Sequence, residues 1–175
     1  MHRFSELAYS CTAFTLEALR QANERAIEGL QTSGATHLVK TLQMVQLQKA
    51  ISAVGMFSLF EAMLQDGLEC RNGFREAELI LEGEGETALK EQFVDLQNAI
   101  NALKHGHGRS YEALVAKADR LPFRIKRPGE AFFFEGDVSE IATLIQVDGA
   151  FVLNCAEVIR QVSETVQKTR PRFFR

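Results

Sequence analysis

No proline occurs in the first 121 residues of this 175-residue chain; the three it has stand at 122, 128 and 171. Proline removes a backbone donor and clashes with the preceding turn, so its absence leaves a long stretch able to be helical. Apolar residues recur through that stretch at intervals of three and four, the period of a helix with one buried face. Phe4, Leu7, Ala8, Cys11, Phe14, Ala18, Ala22, Ala26 and Leu30 keep the interval and predict a helix over 4–31. Ser33-Gly34 is expected to stop it, because glycine tolerates a left-handed cap. Thr36 is the expected cap of the next helix, over 37–66.

That second helix changes character along its length. Leu38, Leu42 and Val45 mark one face, whereas residues 53–60 are apolar nearly all round. Such a turn belongs deep in a core or against a second subunit, and the reading here is a central helix that also contributes to a homodimer. Gly55 inside it costs about 1 kcal/mol against alanine unless close packing compensates. A short helix over 72–82 ends at Gly83-Glu84-Gly85. No strand precedes this Gly-x-Gly and glutamates surround it, so it is a connector and not a phosphate loop.

Residues 86–105 predict a further helix, stopped by Gly106 and Gly108, with Ser110 capping another over 111–121 that Pro122 ends. Residues 123–137, rich in Pro and Gly, make a long loop with a short extended pair around Pro128-Gly129. The last helix is expected to open at Asp137, with Glu140 completing a capping box. Its stripe would be Ile141, Leu144, Phe151, Cys155, Val158 or Ile159, and Val162. Asp148 interrupts that stripe; a buried acid needs a partner, so it pairs with an arginine, caps a kink at Gly149, or serves a site. The sum is an all-α, up-and-down bundle of five or six helices with one long loop before the last. Residues 1–169 make one domain, and 170–175 a basic, aromatic tail that frays or touches RNA or a partner.

Apolar content of 46% and charged content of 25% are ordinary for a globular chain. No secretory leader and no apolar run long enough to cross a bilayer are read from the sequence, so no membrane partner is expected. The cysteines at 11, 70 and 155 are odd in number and far apart. They read as small buried hydrophobes in a reducing, cytoplasmic setting, with neither a disulfide framework nor a zinc site.

The net charge of −3 is uninformative, but its distribution is not. Between 101 and 128 the cations Lys104, Arg109, Lys117, Arg120, Arg124, Lys126 and Arg127 face only Glu112 and Asp119, after an acidic stretch over 76–95. Such a cluster attracts phosphates, or is simply a solvated loop. It starts within 96–111, where the candidate chemistry concentrates. On the helix, Leu89, Phe93, Leu96, Ile100 and Leu103 form an apolar stripe, and Asn98, Asn101 and His105 a polar one beside it. Histidine titrates near neutral pH and can act as base or acid in RNA cleavage without a metal. His105 is the candidate acid–base group. Lys104, Arg109 or Lys117 would offset charge on the phosphorane, and Asn98 and Asn101 would orient the imidazole or bind phosphate. Tyr111 would stack on a base or bond to phosphate. His107, Arg124, Lys126 and Arg127 complete the candidate RNA-binding set. The alternative is structural: His105 as a helix-end histidine favoured by the dipole, His107 as an exposed turn residue. No metal-ligand spacing and no cofactor motif is found.

At Asn101-Ala-Leu-Lys-His105-Gly106 the chain resembles the HEPN superfamily. Its members are small α-helical bundles, usually dimeric, in prokaryotic defence, toxin–antitoxin and nucleotidyltransferase-associated systems, and many are metal-independent ribonucleases. Their signature is an Arg, often followed by Asn or another polar residue, then a His commonly followed by Gly. This chain is similar in the Asn…His-Gly half and has Ile100 where the Arg would stand. The resemblance implies a dimeric protein acting on RNA in a defence, stress or toxin–antitoxin setting, with His105, Asn101, Lys104 and Arg109 at the phosphate. A member without the Arg is expected to bind RNA, or a protein partner such as an antitoxin, without cutting. The competing expectation is therefore a non-catalytic dimerisation or adaptor module.

Overall fold

Six α-helices make up the bundle among the described residues (3–130, 132 and 137–170) of a computed structural model. They are α1 (Phe4–Leu30), α2 (Thr36–Gly67), α3 (Gly73–Gly83), α4 (Thr87–His105), α5 (Arg109–Val115) and α6 (Gly149–Thr169). The chain is all-α, as its period demands. Strands are absent among the described residues; a single antiparallel bridge joins Ile125 to Ile145.

Phenylalanines knit the first four helices together. Phe93 of α4 meets Phe74 of α3 edge-on at 5.3 Å, and Phe57 and Phe60 of α2 at 6.2 Å each. Phe4 of α1 lies parallel to Phe60 at 6.3 Å. Edge-on and offset aromatic pairs of this kind add about 1 kcal/mol each to the area they bury. α6 packs against α1, α2, α3 and α4 and buries Phe151, Val152, Cys155, Val158, Ile159 and Val162 among them. The start of α3 lies so close to α2 that a Cβ at Gly73 would fall 2.6 Å from Leu64 Cβ. Only glycine fits there.

Several expected boundaries shift. α6 starts at Gly149, not near 137. Asp137 Oδ1 accepts from the backbone N–H of Ser139 (2.9 Å) and from its hydroxyl (2.7 Å), a local turn that competes with a helix. Ile141 and Leu144 therefore precede the helix. The segment that follows is extended: Lys126 N–H donates to Leu144 O (2.8 Å) and Gln146 N–H to Arg124 O (3.0 Å). The long loop thus pairs with this segment; at Pro128-Gly129 there is only a turn, with Gly129 at φ +82°. Asp148 is exposed and caps α6, its Oδ1 accepting from Phe151 N–H at 2.8 Å. This is the capping role foreseen as one reading, at a helix start instead of a kink.

Other ends are simpler than expected. α1 ends with Gln31 in a right-handed conformation, and the N–H groups of Thr32 and Ser33 reach back to Gly29 O, so Gly34 needs no left-handed turn. Thr36 is the first residue of α2, not its cap. α5 stops at Val115 and a 3₁₀ turn over Ala118–Arg120 follows, while Ser110 lies inside its first turn. Residues 131, 133–136 and 171–175, which include part of the loop and most of the tail, fall outside the described residues.

α2 is the helix whose surroundings depart most from expectation. Ala53, Met56, Phe57 and Phe60 are buried, yet Gly55, Ser58 and Leu59 are exposed, and a Cβ at Gly55 would meet nothing within 4 Å. Among the described residues, no close packing compensates that glycine. By length and composition α2 is also the one described helix apolar enough to cross a membrane, a test that core helices pass too. Cys155 is buried, Cys70 half-buried and Cys11 exposed, so the reading of three buried cysteines fails at Cys11. Burial pushes the Cys155 thiol pKa well up.

Candidate functional site

α4 sorts its two stripes as its period requires. Leu89, Phe93, Leu96 and Ile100 are buried and Leu103 is half-buried, while Asn101, Lys104 and His105 are exposed and Asn98 half-buried. The helix ends at Gly106, whose φ of +75° suits glycine and strains other residues. Gly106 N–H closes the last turn on Ala102 O at 2.9 Å. Lys104 and His105 occupy that last turn, where the partial negative charge of the helix end favours cations.

The turn doubles the chain back into α5 and gathers several candidate residues. Asn101, His105, Gly106, His107, Gly108, Arg109 and Ser110 line one open cavity of about 370 Å³. His107 also lines a neighbouring cavity of about 310 Å³ with Tyr111, Lys126, Arg127 and Thr143. Asn98 and Lys104 line neither. Among the described residues, the side chains of Lys104, His105 and Arg109 have no hydrogen bond or ion pair.

Most cations further along are engaged; Arg120 is exposed, with no side-chain hydrogen bond or ion pair among the described residues. Lys117 Nζ pairs with Asp95 Oδ1, a buried carboxylate on α4 with no other donor in reach among the described residues. Arg127 pairs with Asp119, whose hydrogen bond and charge raise the guanidinium pKa, and Arg127 N–H donates to Glu130 Oε2 at 3.1 Å. Lys126 Nζ lies 3.9 Å from Glu140. Arg124 is exposed, with its guanidinium carbon 5.5 Å from the Phe132 ring centre. Tyr111 is buried; its hydroxyl donates to Lys126 O (2.8 Å), and the His107 ring meets it edge-on at 4.7 Å. That ring holds the loop against α5 and is not displayed for stacking.

The sequence singled out Asp148 as the acid in an apolar row; Asp95 is the one that is buried. Asp95, Ala99 and Ala102 form a second buried row on α4, spaced four and three. An acid heading a row of alanines was the legible signal. Gln97 Nε2 is also buried without an acceptor among the described residues. Near Asp148, burial lowers the Lys49 pKa and the Asp148 charge opposes that.

The α4–α5 corner therefore offers two imidazoles, a carboxamide and a guanidinium around one open space. Such a set can hold an oxyanion and move protons. Among the described residues no three His, Cys, Asp or Glu side chains are grouped to hold a metal ion. No family model matches the chain, and neither a curated protein nor a solved structure does.

Proposed function

We propose that the chain is a HEPN-like protein that binds RNA at the α4–α5 corner and cleaves it there without a metal, in a defence, stress or toxin–antitoxin setting. One observation carries the reading: Asn101, His105, His107 and Arg109 share an open cavity, and neither Arg109 nor the adjacent Lys104 is spent on an acid. Ile100, at the place of the motif's Arg, is 4% exposed and packed in the core. A cation there would point away from the cavity, so Arg109, reaching it from the start of α5, takes the charge-offsetting role.

The chemistry needs two proton transfers. One imidazole takes the proton of the ribose 2′-OH as its oxygen bonds to phosphorus. The bond from phosphorus to the 5′-oxygen breaks, and the other imidazole, protonated, delivers a proton to that oxygen. Arg109 stabilises charge on the phosphorane from the cavity wall, and Lys104, outside that wall, adds to the positive field. The product is a 2′,3′-cyclic phosphate and a 5′-hydroxyl. His105 and His107 line the same cavity, so one protomer holds both imidazoles.

The test is cleavage of a single-stranded RNA in EDTA by the wild type and by His105→Ala. Wild-type cleavage, slowed at least about 100-fold in the variant, is expected. Equal activity in both, or none in either, removes cleavage; loss of a salt-sensitive gel shift removes RNA binding. A non-catalytic adaptor binding a protein partner finds its support elsewhere, in an exposed apolar face of α1 and α2.

A further inference from the structure

α1 leaves part of its apolar stripe uncovered, although Phe4 and Ala8 pack against the core and Ala26 is buried. Leu7, Cys11 and Phe14 are exposed, Phe14 at 78%, while the polar Ser5 and Thr12 point into the bundle. α2 repeats the pattern. Met44, Leu47, Ile51 and Leu59 are half or more exposed along one side. No exposed residue between Lys40 and Asp66 carries a charge. Isolated exposed leucines are ordinary, but a continuous uncharged apolar face marks an interaction surface.

A groove of about 290 Å³ joins the two helices, lined by Leu7, Cys11, Met56 and Leu59, with Val152 of α6. Two of its hydroxyls are already spent: Thr12 Oγ1 donates to Met56 Sδ (3.7 Å) and Ser52 Oγ to Gln48 O (2.8 Å). Thr15 brings a third hydroxyl, and the rest of the lining is mostly apolar. An apolar cavity of about 150 Å³ is enough to hold a benzene ring, so a phenyl side chain fits this one.

We propose that a second copy of this chain covers the outer face of α1 and α2, each copy seating its Phe14 in the groove of the other. Phe14 stands one turn from Cys11 and two from Leu7 on α1, both of which line the groove. A projecting ring and a recess lie side by side on one face. A two-fold axis in the plane of contact, passing between them, sets each ring over the other's recess, as an isologous contact requires. The scarcity of exposed charge along α2 favours the same occupant. A patch meeting its own copy near a two-fold axis would oppose like charges; α2 shows no fully exposed charge there, and on α1 Glu17, one turn from Phe14, is already paired with Arg20. Leu7, Phe14, Met44, Leu47, Ile51 and Leu59 together present roughly 700 Å² of surface, near the ~800 Å² per partner of a standard interface. Gly55, exposed beside them, lets a facing helix approach without meeting a side chain.

The mass of the full chain in sedimentation equilibrium, at micromolar concentrations and without RNA, tests this independently of the RNA reading. Twice the chain mass is expected. Phe14→Asp and Leu59→Asp should each weaken the dimer by roughly 100-fold or more with unchanged far-UV circular dichroism. Leu79→Asp, at an exposed apolar position on α3, should leave it intact. A wild-type monomer throughout the range overturns the proposal. So does a Phe14→Asp or Leu59→Asp chain that folds and stays dimeric, or a dimer lost equally to Leu79→Asp.

Discussion

The two halves of the basic segment carry the same kind of charge and use it differently. Lys104 and Arg109, at the α4–α5 corner, are exposed without acidic partners among the described residues. Lys117, Lys126 and Arg127 lie opposite Asp95, Glu140 and Asp119. Those three far cations are spent on acids, whereas Arg120 and Arg124 have no acidic partner among the described residues; Lys104 and Arg109 are available to a phosphate. A charge count along the sequence thus overstates the positive field of that stretch, where three of the five cations from Lys117 to Arg127 are paired with acids.

The comparison breaks most sharply at His105. His105→Ala should lose at least about 100-fold in RNA cleavage rate with little change in melting temperature, because an exposed, unpartnered side chain contributes little to stability. The opposite is expected on the paired side. Asp95→Asn removes the counter-charge of Lys117 at a site between buried and exposed, costing about 2 kcal/mol, between the usual values for buried and surface pairs. Thermal unfolding should fall by roughly 4–8 °C, as expected for a chain of this size, with RNA affinity unchanged. A smaller effect belongs to α6. Hydrogen bonding from Arg160, helped by Gln161, holds the Glu157 carboxyl down at about 2. Since the folded pKa lies below the unfolded value of about 4.3, the stabilisation is present above that value and is lost as pH falls towards about 2. Glu157→Gln should flatten that part of the acid-unfolding curve by lowering neutral stability slightly, the loss kept small because the pair is more than one-third exposed.

Periodicity made the helices legible, and for α4 and α6 also the buried face. It did not say which way α1 would turn. α1 and α6 share a charge pattern, Glu17-x-x-Arg20-Gln21-x-x-Glu24 and Glu157-x-x-Arg160-Gln161-x-x-Glu164, with the same arginine–glutamate pairs in each. Yet α6 buries its large apolar residues, whereas α1 leaves Leu7, Phe14 and Ile27 exposed. A stripe shows that a helix has a side to cover and is silent on what covers it. The start of α6 was hidden for a different reason. Ile145 and Val147 point inward and Gln146 and Asp148 do not, an alternation of period two that is easily read as a weak helix. At the corner, the cluster of Asn101, His105, His107 and Arg109 follows from a glycine turn visible in the sequence. The pairing of Lys117 with Asp95 is tertiary, across more than twenty residues, and no local pattern announces it.

The salt dependence of RNA binding tests the division of the basic segment most directly. In a plot of log affinity against log salt for a single-stranded RNA, Arg109→Ala should reduce the slope by about 0.7, the amount for one phosphate no longer neutralised. Arg127→Ala should leave the slope unchanged. Equal slopes for the wild type and Arg109→Ala, with a shallower one for Arg127→Ala, would contradict the account.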